Sequence, residues 1–409
     1  MHPASGPELE LTVGAVGHGG FCVARHDGRV VFVRHALPGE RVRAVVTEDR
    51  GGSYCRADAV QVLQAAPGRV LPPCPASGPG GCGGCDFQHV DPAVQRGLKA
   101  EVVAEQFRRI AGLDVPVPVL ELPGGALGWR TRTRLAVDGA GRAGFRAHRS
   151  HTVQPVPTCP LAPAGALDQV LSRRWRPGTE LEVVADDDGR LHVAELRAGR
   201  PPTWVRGTGR AVQHAAGRRW EVSAHGFWQV HPAAADALAT LVGDWAGAPE
   251  GGRAWDLYGG VGLFASVLAG QVGPAGSVTV VESSRRAVIA GTEALADLPQ
   301  VRFVTGRVER ALSQLPGKPD VVVLDPPRRG AGREVATAVA RRGPARIVHV
   351  GCDPAALARD VAAYLGCGYR LVEVRALDTF PMTHHVECVA VLRSDADVAV
   401  TNVDRPDRH

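Results

Sequence analysis

A cysteine and a glutamate toward the C-terminal end of the chain could together carry a covalent reaction. Cys352 follows an apolar run in IVHVGCDPAALARD, and Glu387 stands in FPMTHHVECVAVL, where a second apolar run begins. A thiolate is a strong, soft nucleophile that also leaves readily, so it suits addition to an electron-poor ring followed by elimination. A carboxylate at the start of a neighbouring strand suits removal of a proton between those two steps. A thiol with an ordinary pKa of about 8.5 is mostly protonated at neutral pH, so the site needs a lowered pKa or a proton transfer. The plainer use of a free cysteine is packing in a core. Its place at a strand end, directly before Asp353-Pro354, favours chemistry.

A second group of residues implies an electrophile. AWDLYGGVGLFASVLAG sets an acidic residue and a turn containing Gly259, Gly260 and Gly262 between a strand and an apolar helix, as at the first βα turn of nucleotide-binding sheets. No GK[ST] follows, so the turn is not a phosphate-binding P-loop. The next strand, SVTVVESSRR, ends in Glu282, about 20 residues on, where an acidic residue holds a ribose hydroxyl pair. A dehydrogenase shares that logic. The G-G-x-G spacing, and a further strand ending in DVVVLDPPRRG with Asp325, favour instead an S-adenosylmethionine enzyme acting on a planar nitrogenous substrate.

These motifs lie in a segment, 216–393, where apolar strands (VVES, VRFV, DVVVLD, RIVHV) alternate with Ala-rich helical stretches. That alternation is the mark of a doubly wound parallel sheet, Rossmann-like in its layering. Residues 1–65 read differently, as about five short strands broken at HDG and HALPGE, and predict a small OB-like, RNA-binding β-barrel, a structural barrel with no ligand being the plainer reading. Between them, 66–215 predicts a mainly antiparallel β domain. It opens on a Pro/Gly/Cys-rich loop and includes a helix over 92–112, capped by Asp91 with Pro92 at its first position and packed on the catalytic domain. The polar tail 394–409 is expected to be disordered. The fold class is therefore multidomain α/β, as 409 residues lead one to expect.

The net charge of +5 mildly favours a polyanionic partner. Without an apolar stretch approaching the ~18 residues of a membrane helix, or a leader's apolar core, the expected location is the cytoplasm. Nine cysteines, an odd number, argue against a disulfide framework. Cys74, Cys82 and Cys85, with Cys159 far along the chain, make a four-thiolate set whose spacing admits zinc or an iron–sulfur cluster. Cys388 neighbours Glu387, but strand alternation points it to the opposite face. Arg130, Arg132 and Arg134 alternate along one expected strand and predict a phosphate track, with Arg142, Arg146 and Arg149 close behind.

Taken in order, LYGGVGLFA, LDPPRRG, GCDPAALARD and FPMTHHVE resemble the RNA uracil-5-methyltransferases. FWQVHP resembles that family's Phe-x-Gln-x-Asn segment, and GHGGFCVARHDGRVVFVRHALPGERV resembles the TRAM domain carried by many members. The resemblance implies that Cys352 adds to C6 of a uracil, that C5 takes a methyl group from S-adenosylmethionine, and that Glu387 then removes the C5 proton. It further implies that Gln229, Tyr258, Gly260, Glu282 and Asp325 bind the donor and that Phe227 stacks on a base flipped from its RNA. Cys74, Cys82, Cys85 and Cys159 resemble the 4Fe–4S motif of a subset of the family, with zinc as the alternative. The implied product is 5-methyluridine in 23S rRNA, or in tRNA as the alternative; a methyltransferase acting on another nucleobase-like substrate is a further alternative. A monomer with no obligate protein partner is expected. Two positions depart from the pattern: Leu263 stands where some members have Asn, and His231 replaces the Asn of Gln-x-Asn.

Overall fold

The computed structural model describes residues 6–395. Most of the tail expected over 394–409 lies outside the described residues. Ser394 itself closes the strand Glu387–Ser394, and the Asp395 N–H donates to Gly368 O at 3.0 Å. Among the described residues no helix is long and apolar enough to cross a membrane.

The N-terminal unit has six strands, Glu8–Thr12, Val16–Gly17, Phe21–His26, Arg29–Arg34, Arg41–Asp49 and Tyr54–Gln64. Alternation sends Cys22, Val31, Val33, Val42, Ala44 and Ala57 inward to a common core. Asp27-Gly28 turns the second hairpin with positive φ at both residues, the geometry that matches the twist of the flanking strands. The sheet curls closed where Gly14 N–H donates to Val23 O and Val23 N–H to Ala15 O, at 2.7 and 2.9 Å. Glu40, fully buried, ties this barrel to the segment behind it by accepting from Leu37 N, Ala66 N and the Arg69 guanidinium.

The central sheet is antiparallel throughout, in the order Val153–Pro155, Ala143–Arg146, Arg132–Val137, Glu180–Ala185, Leu191–Leu196, Thr203–Arg206. A boundary at 215/216 falls in the turn of a hairpin, Arg210–Ala215 with Arg218–Ser223. Both strands bury residues (Ala211, Trp220, Val222) in the same core as helices Ala234–Ala246 and Leu263–Val272, so this hairpin packs with the catalytic unit.

The C-terminal sheet has eight strands, ordered Val301–Thr305, Ser277–Glu282, Arg253–Leu257, Val321–Leu324, Arg346–Gly351, Glu387–Ser394, Tyr369–Leu377, Val119–Leu120. The first five are parallel, and Glu387–Ser394 runs antiparallel between its two neighbours. The all-apolar, buried run Val321–Leu324 is what a parallel strand covered on both faces requires. Helix Pro92–Gln106, with Asp91 accepting from Ala93 N at 2.9 Å, sends Val103 into this unit's core, where Phe107 and Val117 join it. It is pinned there by the buried Lys99, whose ammonium sits 2.6 Å from Asp378 Oδ1 and donates to Phe380 O at 3.1 Å.

Lys99→Met leaves the Asp378 carboxylate buried without its cation, at an expected cost of about 3–5 kcal/mol. Thermal and urea unfolding of the full chain should show that loss. The Lys99→Met/Asp378→Leu double variant should recover most of it, because a matched apolar pair carries no stranded charge.

Candidate active site

The site forms where the parallel strands end. The chain leaving Arg253–Leu257 turns through Tyr258 and Gly260, both at positive φ, before helix Leu263–Val272. Gly259 must lack a side chain, since a Cβ there would lie 2.8 Å from Asp256 Oδ2 and 2.6 Å from a Val280 methyl. Asp256 is fully buried and accepts from Ala265 N at 2.9 Å, which fixes the helix start; it does not line the cavity beyond. Burial pushes its carboxyl up to about 7, helped by Asp325 and Glu282. The Glu282 carboxylate, at the end of the next strand, accepts from Gly260 N at 3.1 Å and Ser284 N at 2.5 Å. Its orientation across the glycine turn is thereby set by backbone donors.

One cavity of about 950 Å³ runs along these strand ends. Gln229, Tyr258, Gly260, Glu282 and Asp325 line it, and so do Phe227, Cys352 and Glu387. Phe227 is 75% exposed, an unusual position for a phenyl ring, and stands free to meet a planar ligand. The Cys352–Glu387 juxtaposition follows from strand register. Gly351 pairs with Cys388 in the antiparallel ladder, so the next residue out on one strand, Cys352, lies across from the preceding residue on the other, Glu387. Cys388 points the other way, into the apolar core.

Of the two routes to a thiolate, a lowered pKa or a proton transfer, the first is absent in the protein alone. Burial pushes Cys352 up to about 12, with Glu387 and Asp325 adding to the rise and Arg328 opposing it. Glu387 is 5% exposed; burial, then Asp325, holds its carboxyl well above the usual range, again opposed by Arg328. Burial alone raises Asp325 to about 7. Four acidic groups on adjacent strand ends, Asp256 among them, are thus all raised by burial, and positive charge brought to the site favours their ionised forms. Arg328, which sequence reasoning passed over although it stands in the same LDPPRRG motif as Asp325, lines the cavity and is the positive charge opposing both rises. His385 also lines the cavity, held neutral by burial at a pKa of about 3.

His231 does not face the cavity. It is buried, stacks on Trp129 at 6.1 Å between ring centres, and accepts from Ala233 N at 3.2 Å ahead of helix Ala234–Ala246. Leu263 lines the cavity as an apolar wall.

The arginines do not stand in one row along a strand. The strand starts only at Arg132; Arg130 turns instead to the cysteine loop, with its guanidinium 5.2 Å from the Trp129 ring centre. Arg132 is spent on backbone, donating to Ala224 O at 2.7 Å and Gly226 O at 2.5 Å, which braces the segment that presents Phe227. Arg134 pairs with Glu182 directly across the ladder, at 3.3 Å. Arg142, Arg146 and Arg149 pair with Asp138, Glu180 and Glu48. The alternation correctly gives Arg132 and Arg134 one face, but the carboxylate facing Arg134 comes from another strand.

Cys74, Cys82, Cys85 and Cys159 line one small cavity beside Arg130. Cys82 Sγ accepts from Gly84 N at 3.4 Å, and Cys85 Sγ from Gln88 Nε2 at 3.3 Å. Among the described residues no group of three or more His, Cys, Asp or Glu is arranged to hold a metal ion.

The arrangement can bind a ribose-bearing donor at Glu282 and bring a planar ring between Phe227, Cys352 and Glu387. Comparison with known proteins agrees with that chemistry. The family model for the TRAM domain matches residues 5–60, and that for tRNA (uracil-5-)-methyltransferase matches residues 316–395. An uncharacterised RNA methyltransferase from Streptomyces avermitilis is 44% identical, over 96% of this chain and 99% of its own. A 23S rRNA (uracil(1939)-C(5))-methyltransferase from Alkalilimnicola ehrlichii is 36% identical, over 95% of this chain and 97% of its own. Among solved structures, the Pyrococcus abyssi tRNA (uracil-54, C5)-methyltransferase with S-adenosyl-L-homocysteine shares the fold, with a TM-score of 0.71 and 21% identity over 94% of this chain and all of that one. With the domain matches, the motif order and the end-to-end likeness in agreement, this chain belongs to the S-adenosylmethionine-dependent RNA (uracil-5-)-methyltransferases.

Proposed function

We propose that this enzyme methylates C5 of a specific uridine in 23S rRNA through a covalent bond between Cys352 and C6 of the uracil. The ladder register that sets Cys352 across from Glu387, inside the cavity that also contains the glycine turn, carries this reading. Bound S-adenosylmethionine supplies an electrophilic methyl group and a positive charge. Glu282, aimed by the Gly260 and Ser284 N–H groups, takes the ribose hydroxyls, while Gln229, Tyr258 and Asp325 surround the rest of the donor. Phe227 stacks on the flipped uracil.

In the protein alone, burial keeps Cys352 and Glu387 protonated. Arg328 and a cationic ligand act in the opposite sense and favour the thiolate and the carboxylate. Cys352 Sγ adds to C6, and the electron pair of the C5–C6 bond makes C5 an enolate-like carbon that takes the methyl, while the broken S–CH3 bond leaves its electron pair on the donor sulfur and the neutral thioether S-adenosylhomocysteine departs. The Glu387 carboxylate then accepts the C5 proton. The C5–C6 double bond re-forms as the Sγ–C6 bond breaks, and its electron pair returns to sulfur.

To Cys74, Cys82, Cys85 and Cys159 we assign a 4Fe–4S cluster, with zinc as the alternative, on their all-thiolate chemistry, their place around one cavity and N–H donors at two of the sulfurs, although the four are not grouped as a metal site in the described residues. Such a group would pin the 74–85 loop to the central sheet. The full-length likeness to a 23S rRNA enzyme supports ribosomal RNA. The family description matched over 316–395 favours tRNA as the second reading. A cytoplasmic monomer is the accompanying proposal.

Cys352→Ala is expected to abolish methyl transfer while S-adenosylhomocysteine binding, followed by calorimetry, stays near normal; full activity would sink the mechanism. Glu387→Gln should accumulate a protein–RNA adduct that survives denaturing electrophoresis. Because burial holds the Cys352 thiol of the free protein far above neutrality, kcat/KM should rise with pH through the neutral range. In Arg328→Gln, kcat should drop on the order of 10²-fold at neutral pH and recover partly at higher pH; a pH profile unchanged by the substitution would refute that role. Mapping 5-methyluridine in rRNA and tRNA from a deletion strain should show one site lost from 23S rRNA, whereas loss from tRNA alone would select the second reading.

A further inference from the structure

The outer face of the barrel carries an aromatic cluster that its core does not use. Along Phe21–His26, Arg29–Arg34 and Tyr54–Gln64, inward Cys22, Val31, Val33, Cys55 and Ala57 alternate with outward Phe21, Phe32, Tyr54 and Arg56. The Phe21 and Phe32 ring centres lie 4.6 Å apart and those of Phe32 and Tyr54 5.4 Å apart. The Arg56 guanidinium sits between 5.4 and 5.9 Å from all three. Tyr54 is 44% exposed.

Two further observations say what covers this face. The first is charge. Arg50, Arg56 and Arg149 all reach the single carboxylate of Glu48, at 2.9, 3.4 and 3.7 Å, so the platform's edge carries more positive than negative charge. Arg149 comes from the central domain and brings a second wall to the edge. The second is continuity with the nucleophile. The Phe21 ring packs on Gly17 and Gly19, and the Gly17–Gly20 turn lines a cavity shared with Arg328, Cys352 and His385. From Arg34, on the same outer face, a polar chain runs to Asp86 (3.7 Å) and His384 (2.6 Å), whose ring lies 4.0 Å from that of His385.

We propose that Phe21, Phe32 and Tyr54, gripped by Arg56, form a stacking platform for unpaired bases of the substrate RNA that flank the target uridine. Aromatic side chains beside a cationic edge bind single-stranded RNA this way: the rings take the faces of successive bases and the guanidiniums take the phosphates. The Gly17–Gly20 turn passes the strand from the platform to Cys352. This inference rests on reading the cavity around Cys352 as the site of methyl transfer.

The test compares the unaltered full-length enzyme with a Phe32→Leu/Tyr54→Leu variant, which keeps apolar cover and removes two rings. Binding of a fluorescent single-stranded RNA of about 20 nucleotides is followed by anisotropy. Affinity is expected to fall about 10-fold or more, with the thermal midpoint and S-adenosylhomocysteine binding unchanged. Equal affinity, or no binding by the unaltered enzyme, overturns the platform. In a second measurement that needs no variant, 5-iodouridine RNA is photocrosslinked to the unaltered enzyme. Adducts within 21–34 or 54–64 support the platform, and adducts confined to other peptides overturn it. Failure of the catalytic reading shows separately, as methylation by Cys352→Ala, and leaves the binding comparison intact.

Discussion

The chemistry depends on one strand register. Glu387–Ser394 is inserted antiparallel between Arg346–Gly351 and Tyr369–Leu377, and the pairing of Gly351 with Cys388 sets everything at that end of the sheet. A slip of one residue would exchange faces along the whole strand. Cys388 would enter the cavity, and Glu387 would be driven into an apolar core. The apolar, buried residues from Val389 to Leu392 make that slip costly, so Cys352 and Glu387 are held in place by packing well away from them.

The same strand ends concentrate acidic groups. Asp256, Asp325, Glu387 and Cys352 are all raised in pKa, chiefly by burial. Such a site resists ionisation when it stands alone and welcomes a cation, which suits a sulfonium donor. Arg328 is the protein's own contribution in that direction. On the proposed mechanism, nucleophile and base reach their working states together with ligand binding, which limits stray reactivity of a thiol that would otherwise be open to oxidation.

Features set by nearby residues were legible in the sequence. The Asp27-Gly28 turn, the Asp91 cap, the glycine turn and the strand–helix alternation each depend on local backbone preference. Motif order singled out Cys352, Glu387, Glu282 and Asp325, which all line one cavity. Features set by partners distant along the chain were not legible. The arginine alternation could not reveal that Glu182 faces Arg134 or that carbonyls of 224 and 226 consume Arg132. The hairpin at 210–223 reads as β and so joined the central domain on paper, whereas Trp220 packs in the catalytic core. The raised pKa of Cys352 comes from burial and from charges on other strands, which no motif encodes.

The barrel's fit against the catalytic unit bears on how such enzymes can change targets. A Cβ at Gly20 would lie 2.7 Å from the His384 Cβ, and His18 sits 3.3 Å from Asp353, which caps the helix following Cys352. So close a seat makes the barrel a poor cassette. Grafting one from a relative would disturb the residue beside the nucleophile unless the Gly17–Gly20 turn came with it unchanged. New RNA preferences are therefore more accessible through substitutions on the barrel's outer surface than through exchange of the whole domain.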